Sequence, residues 1–204
     1  MKRLSRIVAI VILFFAMSAK TYAAEFFVPA TGTESADSIV VANNAYNSLP
    51  KNVRTIIENA GFSGDLTAES IAVKYSDCIS AAQKASLPSD FIILGITIPD
   101  RKTVSVYAPD PYLADICYHE LGHAFDCALG DPSQTECFKA IYDAERFNFK
   151  NTGTNGYVGS KTTPREYFGD AFECYFTNPN YLAKNCPLTY GFVGTLILTA
   201  GTEQ

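Results

Sequence analysis

Tyr118-His119-Glu120-Leu121-Gly122-His123-Ala124-Phe125-Asp126 contains the only two histidines of the chain, four residues apart. On an α-helix a four-residue step turns about 400°, so both imidazoles leave one face, one turn apart. Two neutral imidazoles so placed can bind one Zn2+. Glu120 sits about 100° round the helix, off that line, where its carboxylate reaches a metal-held water better than the metal. Glutamate fills 10 of 204 positions, so two randomly placed histidines give His-Glu-x-x-His about once in two thousand arrangements. The spacing therefore points to zinc-assisted hydrolysis.

Working outward, Asp110-Pro111 offers a helix start, with Asp as N-cap and Pro at the first helical position. The spacing predicts a helix from there to about Leu129, stopped by Gly130, with a core stripe of Leu113, Cys117, Leu121, Ala124 and Ala128. Asp131-Pro132 opens another helix, with Ser133 and Glu136 as a capping box. Upstream, Phe91 to Ile98 and Thr103 to Ala108 are β-prone runs around the turn residues Pro99-Asp100-Arg101-Lys102, and they predict a β-hairpin. Its second strand, Thr103 to Ala108, is expected to offer an edge to an extended peptide. Residues 35–48 and a stretch from Pro50 to Gly61 carry helical spacing, residues 66–86 read as mainly helical, and 148–162 as loop. Further helices begin near Thr163-Pro164 and cover the C-terminal segment.

A catalytic zinc site needs a third protein ligand. With no histidine left, it must be a carboxylate or a thiolate. Cys127 continues the histidine stripe, but an oxidising compartment favours its use in a disulfide. Arg165-Glu166-Tyr167-Phe168-Gly169-Asp170-Ala171-Phe172-Glu173 places Glu166 and Asp170 on one helical face. Glu166 as ligand and Asp170 as hydrogen-bond partner of a ligating imidazole would complete the set. Thr163-Pro164-Arg165-Glu166 equally fits a capping box in which Glu166 serves only its own helix. Spacing leaves these two readings open. Glu173 reads as a solvated surface residue.

The block Tyr118 to Asp126, followed by Glu166-Tyr167-Phe168-Gly169-Asp170-Ala171-Phe172, resembles the catalytic domain of the anthrax lethal factor-like metallopeptidases, a group that includes secreted Pro-Pro endopeptidases. The resemblance covers roughly residues 50–200, and its specific parts are the two blocks and the preceding hairpin. It implies zinc ligation by His119, His123 and Glu166, with Glu120 as general base. It implies an α+β, zincin-like metallopeptidase domain, mostly helical, with a small twisted sheet or hairpin bordering the active-site helix. The family's catalytic tyrosine usually stands seven residues before the ligand glutamate. Here that position is Gly159, and the nearest tyrosine is Tyr157, nine before Glu166. Tyr157 as oxyanion donor requires a two-residue adjustment of the loop; otherwise it is a half-buried loop aromatic.

Lys2, Arg3 and Arg6, the apolar run Ile7 to Met17 and the small residues up to Ala24 form the pattern of a secretory signal peptide, residues 1–23. The run is too short to span a bilayer, so no membrane anchor is expected after cleavage. One domain is then expected over 24–204, with 24–48 a peripheral N-terminal segment. Residues 24–204 hold 12 basic and 21 acidic side chains, a charge of −9, which argues against nucleic acid as partner. A monomer acting on a peptide or protein substrate, secreted or periplasmic, is the expectation. Six cysteines after such a segment suggest disulfides, with Cys127–Cys137, Cys174–Cys186 and Cys78–Cys117 the simplest pairing. The main rival is a secreted binding protein that keeps a zinc fold without catalysis. Retention of Glu120 argues against it, because structural zinc has no use for that carboxylate. A serine or cysteine hydrolase lacks both a free histidine and a Gly-x-Ser-x-Gly elbow.

Overall fold

The hairpin forms where turn chemistry and β-propensity coincide. In the computed structural model, which describes residues 25–79, 93–149 and 163–200, β3 (Gly95–Ile98) and β4 (Thr103–Tyr107) pair antiparallel around a short 3-10 turn at Pro99–Arg101. Lys102 closes that turn in the left-handed region, at φ 51°. Two parallel partners complete the sheet: β1 (Phe27–Pro29) pairs with β2 (Ser63–Thr67), and β2 pairs with β4. The order is β1-β2-β4-β3. The expected edge is therefore corrected. β4 lies inside the sheet between β2 and β3, and the strand with a single described neighbour on the hairpin side is β3.

Strand alternation gives the sheet two different faces. Val104 and Val106 are fully buried on the face that meets the main core. Gly95 and Thr97 stand opposite them in the register and so share that face. The other face carries Ile96 and Ile98, packed with Ile71 and Tyr75 in a smaller cluster.

Eight described helices accompany the sheet. α1 (Ala36–Ser48) starts at Ser35, whose hydroxyl oxygen accepts from Ser38 N at 3.0 Å. α2 (Lys51–Asn59) gives way to Gly61, which takes φ +85° just past the helix end. α3 (Ile71–Lys74) is a single turn. The extended helix expected over 66–86 is thus replaced, in its described part, by a strand and one turn. Leu66 pairs with both β1 and β4 and Thr67 pairs with β4, and that ladder overrides their local preference.

α4 (Leu113–Ala128) carries both histidines. It begins two residues later than Pro111, because Asp110 Oδ1 accepts from Tyr112 N at 2.8 Å and holds a turn ahead of the helix. Ser133 does not form the expected capping box. Its backbone N–H and hydroxyl donate to the buried carboxylate of Asp126, at 2.8 and 2.6 Å, which fixes the turn after α4. α5 (Glu136–Glu145) is capped instead by Thr135. α6 (Pro164–Thr177), α7 (Pro179–Asn185) and α8 (Pro187–Thr199) each open on a proline, where a missing N–H costs nothing.

α4 is the centre of the molecule, between the sheet and α6. Leu121, Ala124 and Phe125 are fully buried, and Phe125 meets Phe172 of α6 with ring centroids 5.6 Å apart. Gly122 makes this crossing tight, since a Cβ there would lie 2.9 Å from Phe172 Cβ. Fully buried Phe138, Tyr167, Phe168 and Phe172 extend the core, each adding about 2–3 kcal/mol of apolar burial. None of the described helices is long and apolar enough to cross a membrane.

The expected disulfides are absent, and all six cysteines are free thiols. Each sits in its own local setting. Cys117 is a wholly buried residue of α4, Cys137 is exposed, and Cys127 Sγ lies 4.0 Å from Lys102 Nζ. The Sγ of Cys174 is 3.6 Å from the Asn178 carbonyl, and that of Cys186 is 3.9 Å from the Glu145 carbonyl. Burial pushes the Cys174 thiol up to about 12 and raises Cys117 and Cys186 as well, so the reactive thiolate is scarce at all three.

Candidate metal centre

Helix periodicity puts His119 and His123 on one side of α4, and their Nε2 atoms approach to 3.0 Å. α6 crosses that side. Thr163 caps α6 by accepting from Glu166 N at 3.2 Å, but the Glu166 carboxylate does not return to the cap. Its Oε2 lies 3.5 Å from His119 Nε2 and 3.8 Å from His123 Nε2. Thr163 is therefore the cap, and the Glu166 carboxylate faces the histidines rather than its own helix start. Gly169, one turn on, gives the imidazoles their space. A Cβ there would fall 2.9 Å from Cε1 of both rings.

One ligand atom from each of His119, His123 and Glu166 falls within 4.8 Å of the others. Ligands bound tetrahedrally at about 2.0–2.1 Å stand roughly 3.4 Å apart, so the separations of 3.0, 3.5 and 3.8 Å suit a zinc ion. The donor chemistry also fits. With the single proton of neutral His119 on Nδ1, facing Asp170, its Nε2 presents a lone pair to a cation. The side chains of His119 and His123 are 4 % and 9 % exposed while that of Glu166 is 40 % exposed, so the group opens to solvent on the Glu166 side.

Behind the pair, Asp170 Oδ1 lies 2.8 Å from His119 Nδ1 in a fully buried position. This contact holds the Nδ1 proton and turns Nε2 toward the ligand group. Burial disfavours the His119 imidazolium, but hydrogen bonding to Asp170 and Glu166 outweighs it and lifts this group well above its ordinary value. Glu166 shows the complement: burial would raise it, yet both histidines hold it well below the usual carboxylate range.

Glu120 is buried beside the two histidines. Burial raises its carboxyl, against the opposing effect of His123, His119 and a hydrogen bond from Thr97. Glu173 is corrected from a surface residue to a buried one, 6 % exposed. Burial is the main cause of its rise to about 8. His119, Asp170 and Glu173 also gather within 4.8 Å, but His119 Nδ1 is engaged with Asp170, so this set reads as an acid cluster behind the His119 ring. Cys127 joins neither group, and Tyr157 lies outside the described residues. Sequence reasoning missed Gly95, Thr97 and Gly169, whose roles come from contact across elements. The paired small residues at 122 and 169, one on each crossing helix, were the available signal.

The family model described as anthrax toxin lethal factor, N- and C-terminal domain, matches residues 99–196. No curated protein matches the chain in sequence. Among solved structures, the Pro-Pro endopeptidase PPEP-2 from Paenibacillus alvei superimposes with a TM-score of 0.67 at 20 % identity, over 84 % of this chain and 97 % of that one. At that identity the likeness establishes the fold, a zincin-like one, mostly helical with a small sheet. Residues 99–196, which include both α4 and α6, are thus similar to the anthrax toxin lethal factor family, and the chain shares the fold of the Pro-Pro endopeptidase.

Proposed function

We propose that the protein is a secreted, zinc-dependent endopeptidase. The observation that carries this reading is the convergence of His119, His123 and Glu166 on one point with the buried Glu120 carboxylate beside them. A zinc ion there would acidify a water molecule and polarise a scissile carbonyl. Glu120 takes the proton from the attacking water as general base and delivers it to the leaving amine. Asp170 keeps the His119 ring in its working tautomer and orientation. The Tyr157 hydroxyl is the proposed donor to the developing oxyanion, on the strength of the family pattern.

The substrate track is β3 rather than β4. Strand order leaves one side of β3 without a described partner, and an extended peptide can pair with such an edge by β-augmentation. That edge runs past Glu120, through Gly95 and Thr97. Secretion rests on the basic, apolar and small-residue pattern of residues 1–23. The Paenibacillus protein is named for Pro-Pro cleavage, and a peptide library shows whether this chain shares that preference. Digestion of such a library should yield defined cleavage products that vanish with a zinc chelator and return with added zinc. Intact peptides after incubation with zinc-loaded protein would favour the binding-protein rival.

A further inference from the structure

The edge strand beside the helix does more than border a cleft. Gly95 and Thr97 are two apart on β3, so both face α4, and both meet the Glu120 side chain. Gly95 leaves room for it. A Cβ at that position would lie 2.6 Å from both Cγ and Oε1 of Glu120. Thr97 grips it, with Oγ1 2.7 Å from Glu120 Oε2 and 2.9 Å from the Glu120 carbonyl. A hydroxyl has one proton to give. The carbonyl belongs to mid-helix residue 120 of α4, where the N–H four residues on supplies its partner. The carboxylate oxygen is closer, buried and charged, which makes it the stronger acceptor.

We infer that Thr97 is a positioning residue for the general base, and that the reactive rotamer of Glu120 is set from the edge strand rather than from its own helix. A glutamate carboxyl turns freely about its last bond. Donation from Thr97 to Oε2 fixes that rotation and leaves Oε1, over Gly95, as the oxygen that accepts the proton. The inference rests on the peptidase reading of the site, but the contact can be tested apart from it. A misplacement of about 1 Å at a reacting group can lower turnover about a hundredfold.

Thr97→Val keeps the shape and removes the donor, whereas Thr97→Ser keeps the donor. In the zinc-loaded protein, Thr97→Val should lower kcat roughly 10- to 100-fold with KM within about threefold and zinc content unchanged. Thr97→Ser should recover kcat to within about threefold of wild type. A valine variant as fast as wild type, or a serine variant as slow as the valine one, would overturn the inference. A second measurement needs no activity. In thermal unfolding of zinc-free protein, Thr97→Val should lower Tm in the wild-type chain and leave it nearly unchanged in a Glu120→Ala chain. Equal losses in both backgrounds would show that Thr97 and Glu120 are not coupled. If the wild type cleaves no peptide, the proposed function fails by itself, and the unfolding cycle still decides the Thr97–Glu120 contact.

Discussion

Asp170 and Glu173 stand one turn apart on the same helix and do different work behind His119. Asp170 is the direct partner of Nδ1, so Asp170→Asn should weaken zinc binding about 10- to 100-fold, measured by competition with a chromophoric chelator. Unchanged affinity would remove Asp170 from the site. Glu173 lies among His119, Asp170 and Asp115, and folding lifts it from 4.5 to about 8. A raised folded value means that the folded state holds a proton which the unfolded chain has already released. That contribution is complete below pH 4.5 and is lost as pH rises through 8. Glu173→Gln should therefore match wild-type stability near pH 4.5 and exceed it at pH 9 by roughly 5 °C in Tm. Parallel pH profiles of the two proteins would contradict this. The juxtaposition of the two histidines was legible because both share one helix, where spacing alone determines geometry. Glu173 was illegible, because its burial depends on how α6 meets α4, which no local pattern encodes.

The crossing of α4 and α6 depends on two glycines. Gly122 admits Phe172, and Gly169 admits both imidazoles. Gly169→Ala should lower zinc affinity at least about tenfold, because its methyl would displace rings that must meet one ion. Gly191→Ala on α8, with nothing within 4 Å of the added Cβ, is the matched control and should leave metal binding unchanged. A Gly169→Ala protein with wild-type affinity would show that the rings can yield. At this scale the hairpin and the α6 start were readable, from turn residues around 99–102 and from Thr163-Pro164. The edge was misassigned for a definite reason. Ser63-Gly64-Asp65-Leu66-Thr67 has no clear alternation, so nothing local marks β2 as a strand that covers β4. Gly64 is needed there because a Cβ would lie 2.6 Å from the Phe27 ring. A strand specified by a distant close approach leaves little local signature.

Across the whole molecule, the proposed zinc would tie α4 to α6 through ligands far apart in the chain, and binding to the folded state alone adds stability. Zinc at about 100 times its Kd should stabilise the protein by roughly 2.7 kcal/mol and raise Tm by about 5–10 °C, with the gain reversed by chelator. Glu166→Ala should lose most of that gain, and a full zinc-dependent shift in that variant would place the third ligand elsewhere. The α+β architecture was legible from helical spacing and a hairpin. The disulfide framework expected from six cysteines is not realised: Cys117 packs within the core whereas its expected partner Cys78 is half-buried, and Cys137 is exposed. The central claim is that Glu120 performs proton transfer at a zinc site built by the other three residues. Its most direct test is peptide cleavage by wild-type and Glu120→Gln proteins brought to equal zinc content. The account predicts chelator-sensitive cleavage by the wild type and a rate at least about a thousandfold lower for Glu120→Gln. Comparable rates at equal zinc content would contradict it.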